Sequence, residues 1–316
     1  VIPSSYQEIW AFIEQALRDR NREGTDPRHR PSDAWLEVAK HFEYVRELSD
    51  KELQKIRIHT YHLTFDNYLA YLVPDEQKVA RFDAAFARLS DALGGFRADE
   101  GDTGIGIELD GHRVSWDLIR YLQVLVDLVE SGALQAGKPC RVMEIGGGYG
   151  GLAAALTSYN PQASYLIVDL EETMFFQAVH LANRFGFESL TLAEGPSLDD
   201  GALQPGRFVL VPQSRAQLVD GLSFDLAINQ QSMQEMREDQ VRYYCDLVLR
   251  NSSRFYSCNR PVHEGAVAAG MGTVENLTSI LDGAFPEILW QPSEDEPPAF
   301  GDWNLPRRLY MCRHEG

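Results

Sequence analysis

Two carboxylates and a run of glycines carry the clearest chemical pattern in the chain. In RVMEIGGGYGGLAAAL, residues 141–156, Glu144 is followed by five glycines within six positions, broken only by Tyr149. A strand that ends in glycines and feeds a helix presents backbone N–H groups and a helix N-terminus to a ligand, with no Cβ in the way. Gly146, Gly148 and Gly151 satisfy G-x-G-x-x-G, while Gly146, Gly148 and Gly150 satisfy G-x-G-x-G. Taken alone, either match has low specificity. The second carboxylate is Asp169 in SYLIVDLEE, 25 residues after Glu144. At a strand end it can accept hydrogen bonds from both hydroxyls of a ribose, or cap the helix that follows.

These residues need a scaffold, and the pattern from Arg141 onward supplies one. Strands are predicted near 141–145, 164–169, 207–211, 224–229 and 254–258, with helices after the first two and the fourth. Such alternation implies an α/β fold, a doubly wound Rossmann-like core with a mainly parallel sheet and helices on both faces. The tail RRLYMCRH adds a last, antiparallel edge strand. The first hundred residues read as helices. Ser5 with Glu8 forms a capping box, NREGTDPRHRPS breaks that helix, and Ser32 caps a second helix carrying Trp35, Val38, Phe42 and Val45. Ser49 with Glu52 starts a third, and a fourth runs from near Pro74 to Gly94 and Gly95. The Gly- and Asp-rich stretch 94–111 reads as a linker with a hairpin at Asp110 and Gly111, after which Ser115 opens a helix. The chain thus divides into an N-terminal helical lid with its linker, 1–111, and an α/β domain, 112–316.

Context separates the two readings of the glycines. A dinucleotide site usually has an apolar residue in the place of Glu144 and a second mononucleotide-binding half, and here only about 165 residues follow the loop. EIGGGYG meets E/D-x-G-x-G-x-G at every position and so resembles motif I of class I S-adenosylmethionine-dependent methyltransferases. With VDLEE, the Asn-x-x-Ser-Met-Gln-Glu-Met turn from Asn229 and FYSCNR after the fifth strand, the segment 141–260 resembles bacterial sugar O-methyltransferases of natural-product biosynthesis. One departure is Glu171, which stands where proline is expected after Asp-Leu.

The resemblance implies S-adenosylmethionine as cofactor and S-adenosylhomocysteine as product. On it, Glu144 helps hold the methionine amino group, and Gly146, Gly147, Gly148, Tyr149 and Gly150 pass under the sulfonium and carboxypropyl part. Asp169 and Leu170 serve the ribose, Gln213 lies by the adenine, and Asn229 and Gln230 lie beneath the transferred methyl. Asn229-Gln230-Gln231-Ser232 lacks the Asn/Asp-Pro-Pro-aromatic quartet of enzymes that methylate base amino groups. An alcohol is a poor nucleophile until its proton is leaving, so O-methylation needs a base near the hydroxyl. Glu235 leads as that base, against a competing reading as a surface carboxylate in the first turn of the helix Arg237 to Arg250. His263 is second, and His62, with His59 on the same helix, is third, although a histidine alone is more often a core or surface residue. Tyr61, Asn259 and Arg260 are expected to touch substrate, with packing or a salt bridge to the lid as their ordinary alternatives. No tight Asp/His cluster suggests a metal, so a metal-independent mechanism is expected.

A net charge of −18, spread along the chain, disfavours a nucleic-acid partner, whose phosphates need clustered Lys and Arg. The four cysteines are scattered without a CxxC pair, as in a reducing compartment. No apolar run is long enough to span a bilayer, so the expectation is a cytoplasmic protein, off the membrane, acting on a glycoside or deoxysugar, with homo-oligomerisation open. Three rivals stand beside this reading: an N-methyltransferase on an amino sugar, an NAD-dependent oxidoreductase, and a non-catalytic relative that keeps the cofactor fold.

Overall fold

The computed structural model describes residues 1–22, 26–260, 277–293 and 305–312. Its helices follow the caps in the sequence: α1 (Tyr6–Arg20), α2 (Asp33–Lys40), α3 (Asp50–Leu53), α4 (Tyr61–Thr64) and α5 (Glu76–Ala92). Ser5 accepts the Glu8 N–H, Ser32 the Trp35 N–H, and Ser49 with Glu52 forms the anticipated capping box. The third helix, however, is a single turn. Residues 43–71 form short 3-10 turns around α3 and α4, so His59 and His62 do not share a helix. Thr60 contributes to this break, because both its N–H and its hydroxyl donate to the Arg57 carbonyl.

The hairpin falls where the turn residues place it. β1 (Ile107–Leu109) pairs with β2 (His112–Val114), and Asp110 and Gly111 have φ of 48° and 80°, the left-handed pair a two-residue hairpin turn requires. The stretch leading into it is no loose linker: Ala98, Glu100 and Ile105 are buried. After α6 (Trp116–Glu130) come β3 (Cys140–Ile145), α7 (Gly151–Tyr159), β4 (Ala163–Asp169), α8 (Glu171–Phe185), β5 (Leu190–Leu192), β6 (Phe208–Pro212), β7 (Phe224–Gln230), α9 (Glu238–Asn251) and β8 (Ser252–Cys258). α10 (Leu277–Ala284), β9 (Glu287–Trp290) and β10 (Arg307–Met311) complete the described elements.

The main sheet has the order β5-β6-β4-β3-β7-β8-β10-β9. Strands β5 to β8 are parallel, and β10 runs antiparallel to both β8 and β9. The tail strand is therefore antiparallel as expected but interior, because β9 covers its outer side. Alternate residues feed two cores. Val142, Tyr165, Ile167 and Ile228 pack with α1, α5, α6, α7 and α8, while Met143, Leu166, Val168 and Ala227 pack with α9 and α10. Helices thus cover both faces, and the N-terminal helices share a core with the sheet.

One buried charge ties these parts together. Arg57 is 2% exposed. Its guanidinium donates to Glu100 (3.2 Å through two nitrogens), to Asp117 (3.1 Å) and to the Thr60 hydroxyl (2.5 Å), and lies 3.8 Å from the centroid of the Tyr149 ring. Asp66 approaches it at 3.9 Å and accepts the Tyr71 hydroxyl, and burial, then Asp117, push the Asp66 carboxyl up to about 6. Replacing Arg57 by methionine strands these buried carboxylates, so the expected loss of unfolding free energy is about 3–5 kcal/mol. Urea denaturation measures it, and a loss below about 1 kcal/mol, the scale of an exposed pair, contradicts the role given to Arg57.

Candidate functional site

A cleft of about 340 Å³ opens at the carboxyl ends of β3, β4, β6 and β7, where the strand order reverses direction. At its floor the chain leaves β3 in a turn whose glycines have two different reasons to be glycine. Gly146, at φ 75°, donates its N–H to Val168, and a Cβ there would lie 2.1 Å from Ser232 Oγ. Gly148, at φ 58°, has no atom within 4 Å of where its Cβ would stand. The first glycine is demanded by packing; the second faces open cleft.

Two buried acids flank this turn. Glu144 is 2% exposed, accepts the Tyr165 hydroxyl at 2.9 Å, and is pushed up to about 8 by burial, Tyr165 acting in the opposite direction. Asp169 accepts the N–H groups of Leu170 (2.7 Å) and Gly148 (3.1 Å) and the Gln177 side-chain amide; burial pushes it up to about 6 against these hydrogen bonds. It therefore ties the glycine turn to α8. The N-cap of α8 is Leu170, not Asp169. Glu171, the departure from the resembled pattern, is buried, pairs with Arg20 at 2.9 Å and accepts the Ser214 N–H at 3.1 Å. A proline could make neither contact.

The opposite wall comes from the turn after β7 and from the N-terminal region. Glu235 ends a 3-10 turn and accepts the Trp35 indole N–H at 3.2 Å. Burial pushes its carboxyl up to about 7, with Trp35 and Arg260 opposing the shift. The residue is half-buried and lines the cleft, and it lies ahead of α9 instead of in its first turn. Arg260 also lines it, and its backbone N–H donates to Gln234 at 2.8 Å. Arg120 of α6 reaches Gln231 at 3.2 Å and pairs with Asp117; Gln231 holds a left-handed backbone at φ 58°.

Of the sequence candidates, Glu144, Gly146, Gly147, Gly148, Asp169, Leu170, Gln213, Gln230, Glu235 and Arg260 line this one cleft. Others do not, each for a visible reason. Tyr149 turns away from the cleft and packs on Arg57, with Gly150 behind it donating to the Gly147 carbonyl. Asn229 is a buried brace: its amide donates to Ile145 O at 2.7 Å and to Ser232 Oγ at 2.5 Å. Asn259 is buried against it, donating to Asn229 Oδ1 at 2.8 Å, and so does not reach the cleft. Tyr61 is exposed and meets His62 and Phe65 edge-on. His62 stacks on His41 with ring centroids 4.3 Å apart, and His59 bonds the Tyr44 hydroxyl; burial lowers both histidines below their ordinary range. His263 lies outside the described residues.

Missed from the sequence were Trp35 as a wall of the cleft, along with Trp116, Arg120 and Phe65. Helical periodicity marked Trp35 only as packing, and nothing local brings it to Glu235 across 200 positions. Among the described residues no group of three or more His, Cys, Asp and Glu is arranged to hold a metal, and no helix is long and apolar enough to cross a membrane.

No protein-family model and no curated protein matches the chain. Similar solved structures include an O-methyltransferase family protein from Burkholderia thailandensis (13% identity, 62% of this chain and 57% of that one, TM-score 0.40). The PH0226 protein from Pyrococcus horikoshii OT3 is similar at 14% identity, 60% and 90% coverage and TM-score 0.41. MtNAS, solved in complex with MTA and tNA, is similar at 12% identity, 97% coverage of both chains and TM-score 0.38. The chain spans 57% of the Burkholderia protein, less than two thirds of its length.

The contrast between the two glycines is directly measurable. Gly148→Ala is expected to cost about 1–2 kcal/mol of stability, the left-handed backbone penalty alone. Gly146→Ala carries the same penalty plus overlap with Ser232, so it loses more in a chemical denaturation series; equal losses would mean that Ser232 yields freely.

Proposed function

We propose that this chain is an S-adenosylmethionine-dependent O-methyltransferase acting on a hydroxyl of a sugar or glycosylated small molecule. One observation carries the reading: a carboxylate, Glu235, that burial pushes up to about 7, shares one cleft with a glycine turn that is open at Gly148 and flanked by two buried acids. The residues fit a cationic nucleoside. Glu144 is a buried acid suited to an ammonium group, and Asp169, already oriented by three N–H donors, has acceptor capacity left for a ribose hydroxyl. When bound, the cofactor supplies an electrophilic methyl group. Glu235 removes the proton of the acceptor hydroxyl, Trp35 and Trp116 exclude water, and the amides of Gln230, Gln231 and Gln234 offer neutral donors and acceptors to a polyol.

The sheet speaks against the NAD-dependent alternative. In the dinucleotide fold the strand beyond the fifth is parallel and completes a second nucleotide-binding half, whereas here the antiparallel β10 takes that place. Differential scanning fluorimetry with S-adenosylhomocysteine and with NADH separates the two, since only the ligand that binds raises the Tm. Stabilisation by NADH alone defeats the proposal. Candidate glycosides are then screened by mass spectrometry for the gain of one CH₂ unit.

Asp169→Ala is expected to weaken S-adenosylhomocysteine binding by about 1.5–3 kcal/mol, the range for hydrogen bonds to a charged group. Calorimetry reads this directly, and an unchanged Kd places the ribose elsewhere. Because Glu235 acts as a base only when ionised, kcat/KM, which reports the free enzyme, should rise with pH through about 7 and level off above it. Glu235→Gln should lower kcat by about 10²–10⁴-fold and remove that limb. An unaltered pH profile in this variant assigns the proton to another group.

A further inference from the structure

Residues 26–32, part of what the sequence marks only as a helix break, form a strap that ends at the cleft, where Pro31 and Ser32 line it. Gln213, at the end of β6, and Gln240, in α9, both donate to the Arg28 carbonyl, at 3.0 and 3.1 Å. Gln240 also donates to Arg30 O at 2.9 Å, and Arg237 to Pro27 O at 2.9 Å. Recognition through backbone carbonyls fixes the path of the strap whatever its side chains. From its end, the Ser32 cap starts α2 and sends the Trp35 indole to Glu235.

We propose that Trp35 is the positioning residue for Glu235: its indole N–H holds one carboxylate oxygen, so that the base is oriented only while the strap is seated. This rests on Glu235 being the base, as argued above, but not on which acceptor is used. An indole N–H donates and cannot accept, so Trp35 never takes the proton itself and acts through Glu235. The charged groups that bear on Glu235 are Arg260, after β8, and Asp169, at the end of β4. A change at Trp35 leaves both in place. Phenylalanine keeps an apolar ring over the carboxylate but loses the N–H, which favours the ionised form.

The test is the titration of Glu235 followed by carboxyl ¹³C NMR in glutamate-labelled protein without ligand, the resonance being assigned by its loss in Glu235→Gln. In Trp35→Phe the midpoint should rise from about 7 by about one unit, the equivalent of one hydrogen bond to a charged group. An unmoved midpoint in a folded variant overturns the proposal. A second measurement needs only the parent and Glu235→Gln. One indole ¹⁵N–H resonance should titrate with the Glu235 midpoint in the parent and stop titrating in the variant; if none does, the proposal also falls. Failure of S-adenosylhomocysteine to bind overturns the proposed reaction and leaves these titrations to decide Trp35 on their own.

Discussion

A single guanidinium, buried among three carboxylates, holds the architecture of the site. Arg57 comes from the N-terminal region, Glu100 from the stretch before the hairpin, Asp117 from α6, and Tyr149 from the glycine turn itself. Burying such a cation is costly unless its charge is paired and hydrogen-bonded, and here four hydrogen bonds run from the guanidinium to Glu100, Asp117 and Thr60. The consequence is geometric. The turn presents Gly148 to the cleft while the neighbouring side chain, Tyr149, lies back on Arg57.

The same network reaches the far wall. Asp117 accepts from Arg57 through one oxygen and from Arg120 through the other, and Arg120 continues to Gln231. The glycine turn and the turn after β7 are therefore braced by one set of buried charges. At the front, Glu171 performs a parallel task by joining Arg20 of α1 to the Ser214 turn, immediately beside Asp169. The N-terminal region is thus a structural partner, from two directions, of the strands that end at the cleft.

Much of this was legible in the chain because it depends on local rules. The strands 141–145, 164–169, 207–211, 224–229 and 254–258 are apolar runs that only a buried sheet accommodates, and β3, β4, β6, β7 and β8 coincide with them to within two residues. The caps at Ser5, Ser32, Ser49 and Ser115 and the Asp110–Gly111 turn are likewise local chemistry. What local rules could not supply was direction. Glu144, Asp169 and Glu235 converge because parallel strands end at one edge, but Tyr149, Asn229 and Asn259 sit at equally suggestive positions and point into the protein. Their partners, Arg57, Ser232 and Asn229 itself, are set by tertiary packing. His59 and His62 failed as a helical pair because the backbone between them bends at Thr60. Glu171 looked like a defect in a motif until Arg20, 151 residues away, came into contact with it.

Three acids share the cleft, and their surroundings divide the work among them. Asp169 accepts from N–H groups that shape the turn, and Glu144 is held by Tyr165 below the loop; Glu235 stands on the opposite wall, beside Trp35, Gln234 and Arg260. Burial raises Glu144 and Asp169 above their ordinary values of 4.5 and 3.8, to about 8 and about 6. The sign of the linkage follows: their contribution to stability is fully present below those ordinary values and is lost as pH rises through about 6 and then about 8. Ionisation of Glu144 and Asp169 therefore works against the empty folded state. A cation in the cleft offsets that cost by favouring the charged carboxylates, so a positively charged nucleoside should bind more tightly as pH rises across the same window, while a neutral one gains little. On the proposed function, these two acids favour a positively charged ligand over a neutral one.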